Sequence, residues 1–174
     1  MNDPSAVGDH LYLRPLDQDD AQAVVPWFED QDVSSMTPSV REPTTFLQEI
    51  ARSEQDVSLG ICTKDGDRLI GLAGLHGVDM EGRSAMFGIV IGEKEHWGKG
   101  YGTEATALVV DLGFGRMNLQ RIWLEVLAAN ERGIRAYEKV GFRREGGPGP
   151  SGSLVMAIAR EDWKAAATAA RRCA

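Results

Sequence analysis

A glycine-rich turn that runs directly into an amphipathic helix carries the clearest chemistry in this sequence. Residues 97–105 read WGKGYGTEA, and from Tyr101 onward the apolar residues recur with the spacing of one helix face. Upstream, residues 85–91 form an apolar run that is typical of a buried strand. Glycines let the backbone approach a ligand closely, and a helix N-terminus offers unpaired N–H groups to an anion. The order strand, glycine loop, helix therefore predicts a cradle for a pyrophosphate group.

Two polar residues seven positions apart, Asn130 and Tyr137, form a second candidate for chemistry. At about 100° per residue, their side chains lie within about 20° of the same helix face. Asn130 suits the N-cap of that helix, and Gly141 suits its C-cap, after which Phe142 leads into a strand. The spacing predicts that the amide and the phenol point in the same direction.

The elements that must position these residues follow a mixed pattern. We predict strands at 10–16, 57–63, 69–76, 85–91, 121–127 and 153–159. We predict helices from Asp19 or Asp20 to 29, and at 44–53, 101–112, 130–140 and 161–172. Tight turns at 64–67 and 79–83 join three successive strands into an antiparallel meander. The expected fold is α/β, or equivalently α+β: one domain over 1–174 with a mixed, mostly antiparallel central sheet flanked by helices on both faces.

Length and cysteine usage restrict the class of protein. The 174 residues suffice for one domain with a sizeable core. The sequence has no run of about 18 apolar residues that would predict a membrane span, and residues 1–4 lack the features of a signal peptide. Cys62 and Cys173 are far apart and predict neither a disulfide framework nor a metal site. We therefore expect a cytoplasmic protein without a metal and without a membrane partner.

The net charge of −7 bears on the kind of partner. Nonspecific binding of nucleic acid needs a basic surface, so we expect no nucleic-acid partner. An acidic protein is compatible with a cationic substrate. The simpler alternative is that the negative charge serves only solubility.

Together, the glycine loop and the segment Asn130–Phe142 resemble the GCN5-related N-acetyltransferase (GNAT) superfamily. The resemblance is to its subgroup of ribosomal-protein alanine, spermidine and antibiotic acetyltransferases, and it extends from the Leu13–Leu16 opening to the strand after Phe142. The family motif is Gln/Arg-x-x-Gly-x-Gly/Ala; Gly100 and Gly102 occupy its glycine positions, and Trp97 stands at the first position. The resemblance implies a sheet whose two central strands splay apart, and the homodimeric state in which relatives often occur.

The resemblance also implies a site for acetyl-CoA. The strand before the loop would pair its backbone with the pantetheine arm and direct an N–H at the thioester oxygen. Asn130 would contact the arm, and Tyr137 would give a proton or a hydrogen bond to the departing thiolate. The predicted cofactor-binding residues are Ile89, Val90, Ile91, Trp97, Gly98, Lys99, Gly100, Tyr101, Gly102, Thr103, Asn130 and Tyr137.

The acceptor amine raises the question of a general base. With a pKa of about 10.4, under about 0.1% of an amine is neutral at pH 7, and only the neutral form attacks. Many relatives place a glutamate on the strand before the loop, where this sequence has Met86. Candidates nearby are His76, Glu93, Glu95 and His96, of which we favour His76 and Glu93. Two alternatives stay open: that no single base exists, and that His76 is only a hydrogen-bonded residue at a strand end.

The acceptor site is expected on the first helices, as is usual in this superfamily. Trp27 and Phe28 stand beside Glu29 and Asp30, with Asp32 close by, and could form an aromatic and acidic pocket. The alternative is that both aromatic residues belong to the core. A carboxylate pocket would suit a small polycationic amine, either an aminoglycoside-type antibiotic or a polyamine.

Two other functions remain in contention. The first is the same transfer to the N-terminus of a protein, as in ribosomal-protein acetylation. The second is a non-catalytic acyl-CoA-binding sensor, which the methionine at position 86 favours because it cannot take up a proton.

Overall fold

The computed structural model of the protein describes residues 4–17, 19–37, 45 and 56–164. Its strands are β1 (Ala6–Val7), β2 (Leu11–Pro15), β3 (Val57–Thr63), β4 (Leu69–Asp79), β5 (Ser84–Ile91), β6 (Arg121–Leu127), β7 (Arg143–Arg144) and β8 (Ser153–Ala159). Its helices are α1 (Ala21–Glu29), α2 (Gln31–Ser34), α3 (Tyr101–Gly115) and α4 (Glu131–Val140), with a 3-10 turn at Lys94–His96. Residues 160–164 are also helical. Among the described residues, no helix has the length and apolar character of a membrane span.

The strands form one sheet in the order β1-β2-β3-β4-β5-β6-β8-β7. All neighbours are antiparallel except β5 and β6, which are parallel. These two strands pair only where Ser84–Met86 lie against Arg121–Trp123, whereas β5 stays paired with β4 as far as Ile91. A wedge-shaped gap therefore opens between β5 and β6 beyond Met86, which confirms the predicted mixed sheet with splayed central strands.

Helices cover both faces of the sheet, as predicted. The larger core lies under α3 and α4 and includes Leu75, Phe87 and Ile122. The smaller core lies under α1 and α2, where buried side chains of both helices pack on Leu72 and Val90. We call these two sides the α3–α4 face and the α1–α2 face.

Strand alternation assigns the polar residues near the gap to one of these faces. Side chains two residues apart on a strand point the same way. His76 therefore lies on the α1–α2 face with Leu72, and Met86 lies there with Val90. On β6, Leu124 and Val126 belong to the larger core, so Glu125 between them also faces the α1–α2 side.

The predicted elements agree with the structure apart from short or terminal pieces. The strand expected after Phe142 is the two-residue β7, whereas β1 and α2 were not predicted, and β4 continues to Asp79, three residues beyond the predicted end. Two-residue strands and a one-turn helix have too few residues to show a period. The helix predicted at 44–53 lies outside the described residues except for position 45, and the terminal helix predicted at 161–172 is described only as far as 164.

Candidate active site

The glycine loop leads from the end of β5 into α3 with two residues in the left-handed backbone region. Gly98 has φ = 76° and Gly100 has φ = 86°, values that strain any residue with a Cβ atom. Gly100 is also the N-cap of α3, and it provides no side-chain hydrogen bond to the first turn. The loop therefore brings bare backbone to the start of the helix.

The first turn of α3 presents N–H groups that the helix itself does not use. The Glu104 N–H donates to the Gly100 carbonyl at 3.0 Å, so the N–H groups of Tyr101, Gly102 and Thr103 precede the first helical hydrogen bond. A Cβ atom built on Gly102 would meet no atom within 4 Å. This open space lies at the positive end of the helix dipole and therefore fits a phosphate group.

A cleft with a volume of about 760 Å³ extends from this loop along the gap between β5 and β6. Its walls include residues 88–91 of β5 and 124–127 of β6. Its volume is in the range of ordinary small-molecule sites. The predicted loop residues that line it are Trp97, Gly98, Gly100, Tyr101, Gly102 and Thr103. The predicted Lys99 is exposed and is not part of the lining.

The edge of β5 that faces the gap carries unpaired backbone groups. The Gly92 N–H donates to the Ile70 carbonyl of β4 at 2.9 Å. Because hydrogen-bonding direction alternates along a strand, the N–H groups of Ile89 and Ile91 face the gap instead. An extended ligand could thus pair with β5 as an added strand would, and Ile89 offers a backbone donor near the middle of the cleft.

Trp97 and Arg132 join the two sides of the gap. The Trp97 indole donates to the carbonyl of Ile91 at 2.8 Å, which fixes the ring to the end of β5. The guanidinium of Arg132, in the first turn of α4, lies 3.8 Å above that ring, and such a cation–π contact contributes about 0.5–2 kcal/mol. The tryptophan at this motif position therefore holds the loop and places an arginine at the edge of the cleft.

Tyr137 lies on α4 and faces the cleft from the α3–α4 side. Its ring packs edge-on against Phe87 and Phe142, with centroids 6.1 and 6.0 Å away. Burial raises the pKa of Tyr137 to about 12, although the charge of Arg132 acts in the opposite direction. The phenol thus keeps its proton at neutral pH. Toward a thiol with a pKa of about 8.5 it is a hydrogen-bond donor, since full proton transfer is uphill by about 5 kcal/mol.

Asn130 is the N-cap of α4, as predicted. Its side-chain oxygen accepts a hydrogen bond from the Gly133 N–H at 3.0 Å. The residue also lines the cleft, so capping and contact with a ligand are compatible. The amide nitrogen remains as a donor.

The two favoured candidates for the base have different surroundings. His76 lines the cleft, and burial lowers its pKa, partly offset by the charge of Asp56. Glu93 is not part of the lining: it accepts hydrogen bonds from the Trp27 indole at 2.9 Å and from Arg68 at 2.6 Å. The structure therefore brings a neutral imidazole to the cleft and keeps the Glu93 carboxylate in a structural contact.

Of the residues predicted to bind the acceptor, only Phe28 lines the cleft. Trp27 is buried in the smaller core, and Glu29 is exposed away from the lining. Asp30 caps α2 and forms an ion pair with Lys94 at 2.7 Å, which holds the pKa of Asp30 below its ordinary value. Lys94 thus already neutralises part of the predicted acidic cluster.

Sequence reasoning missed two carboxylates in the cleft, Asp56 and Glu125. Asp56 directly precedes β3, and Glu125 lies near the middle of β6. A signal for Glu125 was present, because a charged residue inside an apolar strand that borders the expected gap must face either solvent or a ligand. Asp56 had no comparable signal.

Known proteins resemble this chain over most of its length. A family model described as an acetyltransferase (GNAT) domain matches residues 10–143. The spermidine N(1)-acetyltransferase of Escherichia coli (strain K12) is 33% identical over 140 residues, which cover 77% of this chain and 73% of that protein. A putative ribosomal N-acetyltransferase of Bacillus subtilis (strain 168) is 28% identical over 154 residues, or 80% of this chain and 81% of that protein.

A solved structure agrees with the architecture. The crystal structure of spermidine N-acetyltransferase from Vibrio cholerae in complex with CoA and spermine has a TM-score of 0.78 to this chain, with 24% sequence identity, and covers 90% of this chain and 99% of that chain. GNAT acetyltransferases use acetyl-CoA, and the glycine loop, the splayed strands and the N–H groups at the start of α3 are compatible with such a donor. The chain belongs to the GNAT family and is an N-acetyltransferase.

Proposed function

We propose that this protein transfers an acetyl group from acetyl-CoA directly to a primary amine of a small polycationic molecule, with a polyamine as the first candidate and an aminoglycoside-type antibiotic as the second. The observation that carries the proposal is the course of the cleft. It joins the N–H groups of the α3 first turn and Tyr137 on one side of the sheet to the carboxylates of Asp56 and Glu125 on the other. Donor and acceptor would therefore meet in the gap from opposite faces.

The donor side has the electrostatic character that an anionic cofactor needs. The first turn of α3 offers its N–H groups, and α4 adds three cations to the lining. These are Arg132, Arg135 and Lys139. Acetyl-CoA, when bound, supplies an activated acetyl carbon. The N–H of Ile89 would stabilise negative charge on its oxygen, and Tyr137 would donate a hydrogen bond to the sulfur.

The acceptor side has the character that a polyamine needs. Phe28, Met36 and Leu72 provide apolar walls for a methylene chain, and Asp56 and Glu125 provide negative charge for ammonium groups. Because a carboxylate stabilises the protonated form of an amine, these acids suit the non-reacting amines. The similarity to spermidine acetyltransferases gives independent support for a polyamine.

A thiol-release assay with acetyl-CoA and a panel of amines tests the proposal. The panel comprises spermidine, spermine, putrescine, several aminoglycosides and peptides with free N-termini, with mass spectrometry of each product. We expect turnover with at least one polyamine. Turnover with peptides alone would indicate an N-terminal acetyltransferase. Calorimetric binding of acetyl-CoA without turnover on any amine would indicate the sensor, and either result would contradict the proposal.

The Glu125→Gln substitution should weaken binding of the acceptor and leave the donor unaffected. Glu125 is exposed, and an exposed ion pair contributes about 0.2–1 kcal/mol, so we expect KM for spermidine to rise by up to about fivefold. The dissociation constant of acetyl-CoA should stay unchanged in calorimetry. Glu81→Gln, which removes the same charge from an exposed turn between β4 and β5, is the matched control. An equal rise of KM in both variants would refute a specific contact.

A further inference from the structure

The side chain of His76 packs over two glycines of neighbouring strands beside the gap. Gly74 of β4 and Gly88 of β5 are directly opposite each other. A Cβ atom on Gly74 would approach the His76 Nε2 to 3.2 Å, and one on Gly88 would lie 3.4 Å from the Cδ2 and 3.5 Å from the Nε2 of the same ring. The imidazole therefore reaches from its own strand over the neighbouring one. This brings Nε2 beside the residue that precedes Ile89, whose N–H faces the gap.

His76 has an uncharged neighbour on one adjacent strand and a carboxylate on the other. Met86 is its direct partner on β5 and cannot titrate. On the β3 side, the last paired residues of β3 and β4 are Val57 and Leu75. In an antiparallel pair the next residues are Asp56 and His76, so these two lie side by side. The Asp56 charge raises the pKa of His76, but burial lowers it more. The ring is therefore neutral at pH 7 while a carboxylate stands ready to stabilise its protonated form.

Three groups that line the cleft could accept a proton on the α1–α2 face: His76, Asp56 and Glu125. Of these, the His76 ring is the one within 4 Å of a Cβ built on Gly88, next to Ile89. The other histidine of the lining, His96, lies in the turn before the glycine loop, with its ring centroid 5.7 Å from that of Tyr101. The residues of α1 and α2 and the segment after them that line the cleft are uncharged: Phe28, Val33, Met36 and Thr37. Glu125 faces it from β6, and the titratable residues of α4 that line the same cleft are Arg132, Arg135, Tyr137 and Lys139. Among the described residues, two buried polar atoms of the lining have no hydrogen-bond partner, the Ser58 hydroxyl, opposite Gly74, and the His96 Nδ1. A buried hydroxyl of this kind normally bonds to a ligand or to water.

We propose that His76 is the general base that deprotonates the acceptor ammonium, with Asp56 as the residue that positions and stabilises it. The assignment rests on the proposed function. His76 Nε2 takes one proton from the ammonium and releases it to solvent through the cleft. The amine nitrogen then forms its bond to the acetyl carbon as the carbon–sulfur bond breaks. The second nitrogen proton goes to the sulfur, whose developing negative charge the hydrogen bond from the Tyr137 hydroxyl stabilises, so that amide and thiol leave as neutral groups.

The pH dependence of kcat/KM with spermidine distinguishes this role from a structural one. In the wild-type protein the histidine takes the proton, so kcat/KM should be level from about pH 6.5 to about pH 9, with an acid limb below 6.5. In His76→Gln, only the amine that is already neutral reacts. Its kcat/KM should be about a hundredfold lower at pH 7 and should rise about tenfold per pH unit toward the amine pKa.

Two further variants sharpen the test. Asp56→Asn keeps a hydrogen-bond acceptor for the Val78 N–H but removes the charge, so the acid limb should move to lower pH with a smaller loss of rate. His10→Gln changes an exposed histidine outside the cleft and should keep the wild-type profile. A His76→Gln profile parallel to the wild-type one overturns the assignment and leaves the proposed function standing. Absence of wild-type turnover with every amine would overturn the proposed function first.

Discussion

Replacing Tyr137 by phenylalanine should lower kcat by about a hundredfold and leave the dissociation constant of acetyl-CoA within about twofold. The substitution removes one hydroxyl and keeps the ring that packs on Phe87 and Phe142. The hydroxyl matters only when negative charge develops on the departing sulfur, so the loss should fall on kcat and not on ground-state binding. Steady-state kinetics with spermidine and calorimetry with acetyl-CoA measure the two effects separately.

The pKa of Tyr137 adds a condition to this result. Because burial raises that pKa to about 12, the hydroxyl keeps its proton through neutral and moderately basic pH. The hydrogen bond is present below the pKa and is lost only as the pH rises through it. The wild-type kcat should therefore show no basic limb from this group below about pH 11.

The control for Tyr137→Phe is Tyr12→Phe. Tyr12 lies on β2, and its hydroxyl bonds to Asp67 outside the cleft, so kcat should be unchanged. If Tyr137→Phe kept kcat within about threefold of the wild-type value, the residue would be a core aromatic without a role in the transfer.

The sequence was most informative where the backbone itself imposes a local requirement. Gly98 and Gly100 have positive φ, and Asn130 caps the helix that carries Tyr137. Each of these requirements acts within one or two turns of chain, so residue type and spacing reveal it. The same holds for the antiparallel meander, whose tight turns leave the strands only one way to pair.

The sequence was least informative about which charges remain available to a ligand. The acidic residues near α1 were predicted to bind the acceptor, but Lys94 reaches Asp30 from a distant turn. Glu93 likewise accepts a hydrogen bond from the Trp27 indole and forms an ion pair with Arg68. These partners are tens of residues apart in the chain, and only the folded sheet brings them together. Whether a carboxylate binds substrate or is already paired is therefore a property of the tertiary structure.

The gap between β5 and β6 explains why Asp56 and Glu125 were overlooked. Glu125 is a charged residue inside an apolar strand, which indicates exposure but does not distinguish solvent from a ligand, and Asp56 precedes a strand without any such signal. Only where the pairing of β5 with β6 ends does the α1–α2 face communicate with the donor side. The acceptor surface thus depends on a break in the sheet that no local pattern encodes.

The Gly102→Asp substitution should lower the affinity for acetyl-CoA while keeping or raising the stability of the unliganded protein. An added Cβ meets no atom within 4 Å, and Gly102 lies in the first turn of α3. Negative charge at a helix N-terminus stabilises by about 0.3–1 kcal/mol, and a residue with a Cβ loses less conformational entropy on folding than glycine, so the unliganded protein should unfold at an equal or higher denaturant concentration.

Binding of acetyl-CoA by the same variant should weaken at least about a hundredfold, because the new carboxylate would occupy the space beside the free N–H groups and repel the phosphates. Calorimetry with acetyl-CoA and denaturant unfolding without it provide the two measurements. Gly115→Ala is the matched control: it adds a Cβ to open space at the other end of α3, and it should leave the dissociation constant unchanged. Near-normal binding of acetyl-CoA by Gly102→Asp would mean that the donor phosphates lie elsewhere, and that the first turn of α3 serves only to start a helix.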